Sequence, residues 1–165
     1  MIPLDIFADP VCPWCFIGKA RLDRALEARP GHPFVIAWHP FQLNPTMPPE
    51  GMDRSAYLRA KFGPEAEGYN APLIEAAAAS GVTMDLPRVT RMPNTLDAHR
   101  LIYWAGIEGR QSPAIAALMR AFWREGRDIG APEVLAEIGA EVGMDGALIG
   151  RLLASDADRD LITER

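Results

Sequence analysis

The stretch Leu4-Asp5-Ile6-Phe7-Ala8-Asp9-Pro10-Val11-Cys12-Pro13-Trp14-Cys15-Phe16-Ile17-Gly18 decides how this chain is read. Leu4–Ala8 is a short β-prone run, and Asp9-Pro10 is a turn signal that ends it. From Cys12 onward Phe16, Ile17, Ala20, Leu22, Ala25 and Leu26 recur at spacings of three and four with charged residues between them, which predicts a helix. Pro30-Gly31 closes that helix, and Phe34–Trp38 follows as a second apolar, β-prone run. Strand, helix, strand is the order of a βαβ unit, whose two strands lie parallel.

Beyond this opening the pattern changes. Asn44-Pro45-Thr46-Met47-Pro48-Pro49-Glu50-Gly51 reads as a Pro-rich linker, and the rest of the chain is mostly helical. Helices are expected over 53–61, 65–80, 95–109, 113–125, 132–142 and 146–154, with a last turn at 156–163. Asp53, Thr95, Ser112 and Asp156 stand where helices open, and Pro113 and Pro132 fit first turns. Gly81 and Gly109 stand where helices end. Residues 81–93 read as irregular, with a brief extended piece at 82–84. The division expected is 1–44 for the βαβ part, 45–52 for the linker and 53–165 for a helical part.

With 165 residues, 48% apolar and 24% charged, the chain has the composition of a globular protein able to bury a core. Its 17 basic residues against 22 acidic ones give a net charge of −5, which argues against nucleic-acid binding. No apolar run approaches the length of a membrane span. Residues 1–8 lack the basic start and long apolar run of a secretory leader, so a cytoplasmic protein is expected. The two cysteines are too few for the disulfide framework of a small secreted protein. A single Cys-x-x-Cys pair in a cytosolic chain more often performs chemistry.

Cys12-Pro13-Trp14-Cys15 stands where a strand hands over to a helix. There the unpaired N–H groups and the positive end of the helix dipole stabilise an anion at Cys12. The thiolate is the nucleophile of thiol–disulfide exchange, so this placement raises its population. Cys15, three residues on, shares the face of Cys12 and can close a disulfide with it. Pro13 is tolerated in the first turn, and Trp14 offers an apolar contact to a substrate. Two blander readings compete. One is half of a zinc site, but His32, His39 and His99 are spaced unlike any zinc finger, so no metal is expected. The other is an inert pair of buried thiols or a structural disulfide.

The segment Asp9–Gly18 resembles the active-site segment of DsbA-family thiol oxidoreductases, in particular the FrnE-like branch. Three more segments are similar to that branch in the same order: Trp38-His39-Pro40-Phe41-Gln42-Leu43-Asn44-Pro45, Asn94-Thr95-Leu96-Asp97-Ala98-His99-Arg100-Leu101, and Ala121-Phe122-Trp123-Arg124-Glu125-Gly126-Arg127-Asp128-Ile129. The resemblance implies an α/β, thioredoxin-like fold with an inserted all-helical domain. It implies thiol–disulfide exchange in which Cys12 forms the mixed disulfide and Cys15 resolves it. In a cytosol kept reducing, a reductase or isomerase is favoured over an oxidase. The family completes its fold after the helical part with a cis-proline loop, two strands and a helix. No proline follows Pro132, so the expectation is a chain lacking that C-terminal portion of the thioredoxin-like domain.

The same architecture resembles 2-hydroxychromene-2-carboxylate isomerases and kappa-class glutathione transferases, which makes a glutathione-dependent isomerase or transferase the alternative function. Those enzymes typically carry Ser where this chain has Cys12. A redox-latched, peptide-binding chaperone is a third reading. Pro13 and Trp14 are read as tuning the redox pair. Asn44 and Asn94 are candidate substrate-binding residues by resemblance, and His99 is a further candidate that could face the cleft and shuttle protons, although asparagines also cap turns and helices and a histidine often only packs one domain on another. Asp9 either acts on the thiols by like-charge repulsion or shapes a turn, and the turn is the favoured reading. No tightly bound cofactor is expected. Glutathione is a candidate co-substrate, disulfide-bearing proteins or peptides are the expected partners, and a homodimer is a candidate assembly.

Overall fold

The structure, a computed structural model, describes residues 1–164, so the far end of the expected helical part lies outside the described residues. Strand β1 (Ile2–Ala8) and strand β2 (Phe34–Pro40) pair in parallel from Ile2↔Phe34 to Ala8↔Pro40. The crossover between them is helix α1 (Pro13–Glu27), as the βαβ pattern requires. The outer edge of β2 is covered by one side chain. Gln111 accepts from the Trp38 N–H at 2.9 Å and donates to the Trp38 carbonyl at 3.1 Å, as a neighbouring strand would.

The helices that follow are α2 (Arg54–Phe62), α3 (Asn70–Ala79), α4 (Leu96–Ile107), α5 (Gln111–Trp123), α6 (Pro132–Glu141), α7 (Gly146–Leu153) and α8 (Arg159–Thr163). The fully buried positions of α4 and α5, among them Ala98, Leu101, Ala105, Ala114, Leu118 and Trp123, mesh small residues against large ones. The resulting core runs without a break from Ala8, Val11 and Trp38 of the βαβ part to Ile149 and Leu153 of α7. A smaller cluster of Ile17, Leu73 and Ala77 seats α3 on α1. Arg21 fastens the same contact by donating to the Ser80 hydroxyl at 2.8 Å.

Arg100 is completely buried and organises the far end. It donates to the carbonyls of Leu152, Leu153, Ser155 and Ala157 and to the Asp97 carboxylate. A side chain from α4 thereby gathers carbonyls of the last turn of α7 and of the loop that follows it. The same guanidinium lies over Trp104, 5.1 Å from the ring centroid. Trp104 in turn donates to Asp158, the one non-glycine residue with positive φ among the described residues.

Several expected elements are placed differently. The helix expected over 65–80 begins at Asn70, preceded by a 3₁₀ segment at Gly63–Gly68. Pro72 explains the shift, because a missing N–H is tolerated only in a first turn. The last turn starts at Arg159 because Asp158 is left-handed at φ 61°. The extended piece expected at 82–84 is instead β4 (Arg91–Met92), antiparallel to β3 (Met52–Asp53) at the end of the expected linker.

Candidate functional site

Cys12 is the N-cap of α1, with extended backbone angles of φ −84° and ψ 114°. Its N–H donates to the Asp9 carbonyl at 2.9 Å, and its own carbonyl accepts from Cys15 at 3.1 Å and Phe16 at 3.2 Å. These bonds wind the first helical turn around the pair. Pro13 is buried inside that turn, and Trp14 stands half-exposed at 49%. Both cysteines are free thiols and partly exposed. Trp123 of α5 donates its indole N–H to the Pro10 carbonyl at 2.9 Å, fixing the loop that leads into the helix.

The two thiols are driven apart in acidity. Cys12 is lowered from the ordinary 9.0 to about 6, chiefly by a hydrogen bond from the Cys15 thiol and further by the N–H groups of Cys15 and Trp14. Burial and the charge of Asp9 oppose that shift. Cys15 is pushed far up, first because its proton is held in the bond to Cys12, then by burial. Cys12 is therefore the thiolate and Cys15 the thiol, a nucleophile beside a proton-bearing partner.

Asp9 lies under this pair and is fully buried. Its carboxylate accepts from the Leu43 N–H at 2.8 Å, the Thr95 hydroxyl at 3.2 Å and the Val11 N–H at 3.4 Å. The turn expected at Asp9-Pro10 is present, and the side chain does more than shape it: it ties the α1 loop, the β2 exit and α4 together. His99, also buried, has Nε2 at 3.6 Å from the same carboxylate and at 3.1 Å from the Phe41 carbonyl. A carbonyl accepts only, so Nε2 carries the proton and donates to Phe41.

The two asparagines differ. Asn94 caps α4 by accepting from the Leu96 N–H at 2.9 Å, and its amide donates to the Met47 carbonyl at 2.7 Å. Thr95 is the N-cap residue of α4, as the sequence suggested, but its hydroxyl goes to Asp9 rather than to the helix. Asn44 accepts from the Tyr57 hydroxyl at 3.0 Å, while its own buried amide nitrogen has no partner.

Sequence reasoning missed Arg54, Tyr57 and Tyr69. Arg54 is buried at 5% exposure with its Nε unpartnered. One terminal nitrogen donates to Asn70 at 3.1 Å, and the guanidinium lies 5.9 Å from the Trp123 ring centroid. Burial alone pushes it down, and the groups that counter this are Tyr69 and Tyr57. Tyr69 is raised by burial, and the charges of Arg54 and Cys12 act on it with opposite sign. The spacing of Arg54 and Tyr57 on α2 placed them on one helix face, but nothing in the sequence aimed that face at Asn44, Asn70 and Trp123.

Among the described residues no three His, Cys, Asp or Glu side chains gather to hold a metal, and no helix is long and apolar enough to cross a membrane. The profile of a family described as a DSBA-like thioredoxin domain matches residues 3–165. Uncharacterized protein YwbO of Bacillus subtilis (strain 168) is 27% identical over 161 residues, covering 97% of this chain and 76% of that protein. The crystal structure of the probable DsbA oxidoreductase SCO1869 from Streptomyces coelicolor superposes with a TM-score of 0.87 at 28% identity, over 99% of this chain and 73% of that one. The cytosolic disulfide reductase DsbM of Pseudomonas aeruginosa, solved with GSH, shares the fold with a TM-score of 0.71 at 21% identity, over 99% of this chain and 77% of that one.

Proposed function

The chain belongs to the DSBA-like thioredoxin domain family, and on that premise we propose that it is a thiol–disulfide oxidoreductase working through Cys12 and Cys15. The observation that carries this reading is the split within the pair, a thiolate at Cys12 beside a proton-holding Cys15. In this reading residues 1–44 carry the thiol chemistry and residues 53–165 form the inserted helical part. The Cys12 thiolate attacks one sulfur of a substrate disulfide, a mixed disulfide forms and the other half leaves as a thiolate. The Cys15 thiol then gives up its proton and attacks the Cys12 sulfur. The internal disulfide forms, the second half of the substrate leaves, and the substrate has gained two electrons. Two equivalents of a small thiol such as glutathione return the pair to its reduced state.

We assign the direction as reductase or isomerase rather than oxidase. Two cysteines in a Cys-x-x-Cys pair, with no structural disulfide, suit a reducing compartment such as the cytoplasm. Glutathione suits the donors the chain holds in reserve: Arg54 Nε and the Asn44 amide nitrogen are buried without partners, and Tyr69 feels both the Arg54 and the Cys12 charge. A carboxylate is the complement of such a donor set. Trp14, half-exposed beside Cys12, supplies apolar contact to a polypeptide substrate.

The test is equilibration in glutathione buffers of graded ratio, followed by alkylation of free thiols and counting by mass. A reversible two-electron transition, absent from Cys12→Ser and from Cys15→Ser, is the expected result, and its midpoint ranks the pair as donor or acceptor. A single stable glutathione adduct with no internal disulfide would reject this reading in favour of a glutathione-dependent isomerase.

A further inference from the structure

We infer that the buried Asp9 carboxylate, gripped by Leu43, Thr95 and Val11, is a fixed negative charge beneath the cysteine pair that favours the disulfide over the reduced form and so poises the pair as an electron donor. The inference rests on the thiol–disulfide reading above and assigns to that site the group that sets its direction.

Every group hydrogen-bonded to the carboxylate is a donor: the Leu43 and Val11 N–H groups and the Thr95 hydroxyl, with the His99 ring nitrogen 3.6 Å away. That set complements an ionised carboxylate, since a protonated acid needs an acceptor for its own hydrogen. The charge is buried at 0% exposure, so water does not screen it. The backbone of the same residue meets the pair, because the Asp9 carbonyl accepts from Cys12 at 2.9 Å. The groups facing this charge are Cys12 and Cys15 on α1, and Thr95 and His99 on α4. Tyr69, at the start of α3, lies beside Cys12. His39 on β2 lines a cavity of about 10 Å³ together with His99 and pairs with Asp5 at 2.7 Å. The field of Asp9 reaches both sulfurs and opposes ionisation at each.

The consequence follows from the charge balance of the redox step. Reduction adds two electrons and one proton to the neutral disulfide, leaving a thiolate at Cys12 and a thiol at Cys15. Two glutathione thiols supply those electrons, becoming glutathione disulfide. The step creates one negative charge next to a charge already present, and the Coulomb repulsion falls on the reduced side alone. The equilibrium therefore moves toward the disulfide, and the reduced protein gives up electrons more readily than the same pair without Asp9. Thr95, which holds the carboxylate, is the N-cap of α4, so the helical part of the chain helps fix the position of this charge.

The deciding experiment compares Asp9→Asn with wild type by following the thiolate absorbance of Cys12 against pH and the midpoint in glutathione buffers. The expected result is a Cys12 titration lowered by about half a pH unit or more. The midpoint should shift about three- to tenfold toward the dithiol, or ~15–30 mV at 29.6 mV per tenfold. Thr95→Val removes a hydrogen bond and keeps the charge, so its titration should stay at the wild-type position. A natively folded Asp9→Asn with an unmoved titration overturns the inference, and so does a Thr95→Val shift of equal size. Should Asp9→Asn fail to fold, wild-type protein carrying ¹³C-labelled aspartate decides. The buried carboxyl resonance moves as Cys12 titrates if the two charges interact, and an invariant resonance overturns the inference. The titration needs no turnover, so loss of the two-electron transition in wild type would reject the oxidoreductase reading while leaving the charge effect measured.

Discussion

Alkylation kinetics against pH would read the acidity of Cys12 directly. With the thiol lowered from 9.0 to about 6, roughly nine-tenths is thiolate near neutrality, against about one-hundredth for an ordinary thiol. Nucleophilicity falls with acidity at a Brønsted slope of about 0.4–0.5, so the drop from 9.0 to about 6 costs roughly 16- to 30-fold in intrinsic reactivity. The two effects nearly cancel at about pH 7, where Cys12 should react with iodoacetamide only ~3- to 6-fold faster than free cysteine. At about pH 5 the population ratio rises to ~900-fold and the net advantage to ~30- to 60-fold. Peptide mapping after brief labelling in acid should therefore find Cys12 modified and Cys15 untouched. Cys15→Ala removes the leading cause of the shift, and the rate–pH midpoint should climb back toward 9.0. A wild-type midpoint near 9.0, or one that Cys15→Ala leaves in place, would refute the claim that the Cys15 thiol stabilises the Cys12 anion.

The same shift makes the reduced fold pH-dependent. A folded-state value depressed from 9.0 to about 6 contributes stability that is present above 9.0 and lost as pH falls through 6, so the urea midpoint of reduced wild type minus that of Cys12→Ser should shrink across that window. Arg100→Met keeps the volume but leaves four carbonyls and the Asp97 carboxylate without their donor, and should cost about 3–5 kcal/mol, seen as a thermal midpoint ~6–20 °C lower. Gly126 has a φ of 67°, and a Cβ there would lie 2.4 Å from the Arg88 carbonyl oxygen. Gly126→Ala should therefore destabilise the fold by about 2–4 kcal/mol in a denaturant titration, with the Cys12 labelling rate retained in the folded fraction.

What the sequence made legible had strong local causes. Cys12 at a strand-to-helix junction, Pro13 in a first turn and the apolar spacing from Phe16 to Leu26 announce α1 without tertiary help. Asp53 caps α2 as expected, its carboxylate accepting from the Ala56 N–H at 2.9 Å, and Gly81 and Gly109 end their helices at φ values of 69° and 70°. The β3–β4 ladder escaped because two paired residues carry no periodicity. The preceding turn at Gly51 is set by approach to the Met92 carbonyl, a contact across 41 positions of chain. Thr95 opens α4 as its residue type suggests, and only the arrival of Asp9 beneath that helix shows where its hydroxyl goes. Arg54 and Tyr69 were invisible for the same reason: each matters through a neighbour that folding alone provides.

The order of effects at Cys12 explains why a site without an adjacent cation still holds a thiolate. Pro-Trp between the cysteines supplies no positive charge, and Asp9 supplies a negative one. Hydrogen bonds outweigh it, with the Cys15 thiol first and the N–H groups of Cys15 and Trp14 after it. Such bonds demand geometry, which this site draws from distant parts of the chain. Trp123 holds the Pro10 carbonyl, Thr95 at the N-cap of α4 holds Asp9, His99 holds the Phe41 carbonyl, and Gln111 holds the edge of β2. Each of these anchors lies on α4 or α5, so the helical part is the frame against which the first turn of α1 is set. Loosening the Trp123 or Gln111 anchor should raise the pKa of Cys12 toward that of a free thiol, whereas removing the Asp9 charge lowers it and Thr95→Val, which keeps that charge, leaves it in place. That opposite sign separates an electrostatic role from a structural one.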